Sequence, residues 1–150
     1  MKFRVTAIAV GAVAAALLTV SPASAQTAAK PYDHQDPYKS GCGNSAKIVK
    51  TGSINSRLDG KVGTIQLWWS GRCKTNWIEI KTATSAHGSI NVYTADGRYD
   101  RFAFKKGNGG RHWGNMLWGN NMCAWGGASI QWGTGQGGQN GAGSTPKACK

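Results

Sequence analysis

Thr64-Ile65-Gln66-Leu67-Trp68-Trp69-Ser70 and, after six intervening residues, Trp77-Ile78-Glu79-Ile80-Lys81 decide how this chain is read. In the first stretch Ile65, Leu67 and Trp69 alternate with Thr64, Gln66, Trp68 and Ser70; in the second Ile78 and Ile80 alternate with Trp77, Glu79 and Lys81. A period of two marks a strand with one buried face, because successive side chains point to opposite sides of the pleat. A slip of one residue would turn a whole apolar set toward water. If the strands form a hairpin, Leu67 must therefore lie opposite Ile78 and Ile65 opposite Ile80. The same register sets Trp68 opposite Trp77 on the other face, beside Gln66 opposite Glu79 and Thr64 opposite Lys81. Two tryptophans in polar company are either an exposed platform for a ligand or partner, or a pair covered by another part of the chain. The exposed reading makes Trp68 and Trp77 candidate binding residues.

Working outward, residues 89–94 and 99–104 form a second hairpin around Asp96-Gly97, expected to be a two-residue turn with positive φ. Residues 46–54 make a weaker strand, in which Ala46, Ile48 and Ile54 suit one face and Val49 breaks the pattern. A Gly-rich loop carrying Lys105, Lys106 and Arg111 precedes three short candidate strands, 116–118, 122–125 and 129–132, separated by Gly119-Asn120-Asn121 and Gly126-Gly127. No stretch between residues 40 and 132 sustains a helical stripe. The expectation is an all-β domain over 40–132, a small disulfide-stabilised antiparallel barrel or sandwich. Residues 26–39, polar and holding Pro31 and Pro37, read as an extended arm. Residues 133–150, with six glycines between 133 and 148, read as a flexible Gly-rich tail ending in a disulfide-linked cysteine.

The chain has 150 residues, 18 Lys and Arg against 6 Asp and Glu, 22 Gly, 7 Trp and 4 Cys. That suits one small domain with appendages and excludes a large multidomain enzyme. Lys2 and Arg4, the uncharged run 8–20, and Ala23-Ser24-Ala25 read as a signal peptide, 1–25, cut before Gln26. The run of 13 residues is shorter than the roughly 20 needed to span a bilayer. A secreted product without a membrane span is expected, carrying 16 basic against 6 acidic side chains, a formal +10. Only 15 of its 125 residues are Leu, Ile, Val or Phe. The tryptophans and tyrosines must then supply apolar area, with covalent help. In an oxidising compartment Cys42, Cys73, Cys123 and Cys149 pair, and three connectivities are open. Cys42–Cys73 is expected, because Cys73 lies between the two best-placed strands, and Cys123–Cys149 follows by elimination.

Asp36-Pro37, Ser40-Gly41-Cys42, Gly63-x-Ile65-x-Leu67-Trp68-Trp69-Ser70 and Cys73-x-x-x-Trp77-Ile78 together resemble a family of small secreted bacterial proteins, the YjfA-like domain of unknown function 2690. The chain departs from the family's pattern at Trp68-Trp69, where the pattern has Arg-Tyr. The resemblance is clear over residues 36–78 and loose from there to Trp132. It implies a secreted, disulfide-containing β-domain and supplies no mechanism.

Catalytic constellations are hard to assemble from these residues. Gly127-Ala128-Ser129 lacks the Gly-x-Ser-x-Gly elbow, and His34, His87 and His112 fall in the arm or in loops. Paired cysteines leave no thiol nucleophile. A glycosidase needs two carboxylates some 5–10 Å apart, and nothing in the sequence joins Asp59 to Asp100. Asp33, His34 and Asp36 could ligate a metal, but Asp36-Pro37 is more simply a turn start. No metal site and no cofactor is expected. Binding is better supported: cations among aromatics suit another secreted protein, an anionic cell-envelope polymer or a glycan, and less well a nucleic acid. Lys105, Lys106 and Arg111 join Trp68 and Trp77 as candidate contacts. A hydrolase of cell-wall polymers is the alternative.

Overall fold

The computed structural model describes residues 30–149. The expected signal peptide, its expected cut before Gln26 and residues 26–29 of the expected arm lie outside them. The strands are β1 Ala46–Ser56, β2 Gly60–Ser70, β3 Thr75–Lys81, β4 His87–Thr94, β5 Tyr99–Phe104, β6 Arg111–Trp113, β7 Leu117–Trp118, β8 Ala124–Gln131 and β9 Asn140–Ser144. They form one antiparallel sheet in the order β5-β4-β8-β9-β1-β2-β3-β6, with β7 also on β3. The sheet curls into a nearly closed barrel. Its two edge strands meet where the Phe104 ring stacks on His112, centroids 4.3 Å apart.

The β2–β3 hairpin has the register that the alternation requires, with Ile65 opposite Ile80, Leu67 opposite Ile78 and Trp68 opposite Trp77. Its inward residues fill the barrel with Ile54, Ile90, Val92, Leu117 and Ile130, all at most 2% exposed. The break in β1 is a bulge: the pairing with β2 shifts between Ile48 and Lys50. Val49 is the extra residue. It packs on the core, while Ile48 is left exposed. Both expected disulfides are present, Cys42–Cys73 and Cys123–Cys149.

Several expectations need correction. The β4–β5 connection has three residues, because Thr94 N–H donates to the Arg98 carbonyl, and Gly97 alone among them has positive φ. Strand β8 runs unbroken through Gly126 and Gly127. A Cβ at Gly126 would collide with the Ile78 side chain, so glycine there permits close packing rather than a turn. The Gly-rich segment is not a tail outside the domain. Residues Asn140–Ser144 are a central strand, paired with β8 from Gly127–Ser144 to Gln131–Asn140 and with β1 at Ile54–Gly143 and Asn55–Ala142. Backbone hydrogen bonds need no side chain, and a Cβ at Gly143 would strike the Ser53 carbonyl. Beyond β9, Ala148 pairs with Ala124 beside the second disulfide. The arm, over residues 30–39, is a succession of turns rather than an extended segment, with Tyr32 and His34 at positive φ.

Candidate functional site: two aromatic faces

The expected tryptophan pair forms. Trp68 and Trp77 stack with centroids 6.1 Å apart and planes 11° from parallel. Trp77 is nonetheless fully buried and Trp68 half-buried. Tyr38 of the arm sets its ring edge against Trp77, and Cys42, Cys73 and Met116 complete a small second core. The exposed platform is therefore corrected to a covered pair.

The polar residues of the arm explain the cover. Asp36 accepts the N–H groups of Tyr38 (2.8 Å) and Lys39 (3.0 Å), closing the Asp-Pro turn, and also the Trp113 indole N–H (3.1 Å). Burial would raise its carboxyl, and these hydrogen bonds more than offset it, leaving the group below its usual 3.8. Met116 exchanges backbone hydrogen bonds with His34 and Gln35. Asp33 accepts from Arg98 (2.6 Å) and the Trp118 N–H. His34 Nδ1 donates to buried Asp100 (2.6 Å). Asp33, His34 and Asp36 thus turn to three different partners, and no metal-holding group of three occurs among the described residues.

Beneath the arm, Glu79 binds Arg111 through both carboxylate oxygens and accepts the Tyr38 hydroxyl at 2.6 Å. Burial, then the hydrogen bond to Glu79, push the Tyr38 phenol well above its ordinary 10. The Arg111 guanidinium lies over the rings of Tyr38 and Trp113 at 5.0 and 5.3 Å. Arg111 is hence a structural cation rather than a free contact. Lys105 and Lys106 remain exposed, without an ion pair among the described residues.

A second aromatic group, which sequence reasoning missed, is left open. Cross-strand register aligns Tyr99 of β5, Tyr93 of β4 and Trp125 of β8. Centroids are 6.3 Å apart for the tyrosines and 5.8 Å for Tyr93 and Trp125, and Lys147 Nζ sits 4.5 Å over the indole. Tyr99 is 61% exposed. The expected two-residue turn would set Tyr99 opposite Thr94, so the tyrosine pair depends on the three-residue connection that the structure has. Trp125 was hidden, because nothing local says that β8 pairs with β4.

Below the ladder the outer face descends in rows. Arg101, Asn91, Gly127 and Ser144 form the next row, then Ala103, Ser89, Ser129, Ala142 and Asn55. The small side chains of that last row floor a groove of about 530 Å³, with Arg101 at one side, and Gln131, Asn140 and Arg57 at the other. No carboxylate lines it. Asp33, Asp96 and Glu79 are in ion pairs on the arm side, Asp100 is hydrogen-bonded to His34, and Asp36 is held in its turn. Arg57 and Arg101 have no ion-pair partner among the described residues.

The chain is 33% identical to the uncharacterized protein YjfA of Bacillus subtilis (strain 168) over 86 residues, 53% of this chain and 54% of that protein. It thus spans about half the length of the curated relative it matches. No solved structure matches. The family described as "Protein of unknown function (DUF2690)" matches residues 30–126, from the arm that covers the tryptophans to the start of β8. By that match the chain belongs to the DUF2690 family.

Proposed function

We propose that this is a secreted, non-enzymatic binding protein that docks on the cell envelope through the open face of β5, β4, β8, β9 and β1. The observation that carries the reading is the ladder Tyr99–Tyr93–Trp125, exposed at Tyr99 and half-buried at the other two rings, beside Arg101 on a face whose groove is lined by no carboxylate. Aromatic side chains set toward water on a monomer are a recognition feature, since burial would have gained apolar contact. The leader pattern and the two disulfides support secretion, because such bonds persist outside the reducing cytosol. Among the described residues no helix is long and apolar enough to cross a membrane, so attachment is read as docking rather than spanning by a helix. The His34 imidazole is held by the buried Asp100 carboxylate, and its backbone N–H donates to the Met116 carbonyl, so both serve to dock the arm.

The test is sedimentation of the protein with purified envelope fragments. Wild type should pellet, the double variant Tyr93→Ala/Trp125→Ala should stay in solution with an unchanged fold, and no soluble fragment should appear. Release of fragments would replace this reading with a hydrolase of wall polymers. Full retention of the double variant would remove the open face from consideration.

A further inference from the structure

Resting on the open-face reading, we infer that the groove below the ladder holds an extended anionic glycan, its negative groups seated on Arg101 and Arg57. The floor is polar: the exposed Ser129 lies with the buried Ser89 between the exposed methyl groups of Ala103 and Ala142. Asn55, Gln131 and Asn140 add amides that donate and accept at once. Such a lining matches sugar hydroxyls and offers little to an apolar ligand.

Length and charge then narrow the ligand. From β5 to β1 the groove crosses four strand spacings, roughly 19 Å at about 4.8 Å each. That span exceeds a single sugar or a free phosphate, and it suits a chain laid across the strands. Each end carries an arginine without an ion pair among the described residues, and no lining residue is acidic. A neutral chain would leave both guanidiniums unmatched, whereas regularly spaced anions meet both.

A single-stranded nucleic acid would also bring anions, but it needs ring faces on which bases can stack. Here Tyr93 and Trp125 stack on one another within 18° of parallel, and Lys147 covers the indole. Tyr99 has its other neighbour on one side only. The ladder thus leaves one open ring face, at Tyr99, where a run of stacked bases needs several, and this suits a sugar chain better than bases.

The experiment measures binding of the mature protein to polygalacturonate, to a glycerol-phosphate polymer, to neutral dextran and to a single-stranded oligonucleotide. The first two distinguish carboxylate from phosphodiester as the source of charge, and tight binding to either supports the inference. Arg57→Gln/Arg101→Gln should weaken that binding about tenfold or more, because two charge-assisted contacts are lost. Its melting temperature should stay at the wild-type value, since neither arginine makes an ion pair within the described residues. Equal binding of dextran, or preference for the oligonucleotide, would overturn the inference. If the double arginine variant still pellets with envelope fragments while Tyr93→Ala/Trp125→Ala does not, the docking face stands and the anionic glycan falls. If wild type itself fails to pellet, the docking reading falls first.

Discussion

Trp68–Trp77 and Tyr93–Trp125 are both cross-strand aromatic pairs on one sheet, stacked at 6.1 and 5.8 Å, yet the first has Trp77 fully buried under the arm while the second is half-buried in both rings and continues to the exposed Tyr99. The pairs themselves do not differ enough to explain this. What differs is the chain laid over them. The arm reaches the first pair because Asp33, His34 and Asp36 find partners on β5, β6, β7 and the β4–β5 loop, and because Glu79 needs both Arg111 and Tyr38 once it is buried. A buried carboxylate is tolerable only when paired and hydrogen-bonded. Five of the six carboxylates are engaged on that side, the sixth, Asp59, being exposed in the β1–β2 turn, and the groove itself is lined by Arg57 and Arg101 without an acidic residue. One sheet thus carries a sealed aromatic cluster and a more accessible one, and the placement of those five carboxylates separates them.

The contrast can be broken most directly by truncating one ring from each pair. Trp77→Ala removes a fully buried side chain and should cost about 3–5 kcal/mol in a denaturant titration. Tyr93→Ala, on the open face, should stay within about 1 kcal/mol of wild type. Equal losses for the two variants would mean that the faces do not differ as described.

A smaller effect is expected from the ion pair that closes the arm. Glu79→Gln takes the charge from between Arg111 and Tyr38 and should destabilise by about 1.5–3 kcal/mol, read as a shift in the urea midpoint at unchanged slope. Arg101→Gln on the open face serves as the comparison and should move that midpoint by less than about 0.5 kcal/mol equivalent.

The smallest effect sharpens the account of the seam between β5 and β6. Burial lowers the pKa of His112 below its ordinary 6.5. The unfolded chain therefore takes up the proton first as pH falls. Stability from this group is complete above about 6.5 and is lost as pH drops through the lower folded value. His112→Phe keeps a ring against Phe104 and removes the titration, so melting temperatures measured between about pH 7 and pH 5 should slope less than in wild type. An unchanged slope would show that other groups set the acid sensitivity.

The sequence alone determined the β2–β3 register, the Asp36 turn and the all-β class, and it pointed to the observed disulfide pairing among three open connectivities. Those rest on local rules: a period of two with one buried face, a short reach between strands, and a carboxylate beside proline. Val49 was legible as a break but not as a bulge, since a bulge is defined by the partner strand. The fate of the tryptophans, the strand inside the Gly-rich segment and the ladder completed by Trp125 were decided only by tertiary structure. Asn140–Ser144 has no large apolar side chain to announce it, and it is held by backbone hydrogen bonds to strands far away in sequence. Periodicity reports which face of a strand is apolar, but whether the polar face meets water or a distant turn depends on contacts between segments that no local pattern encodes.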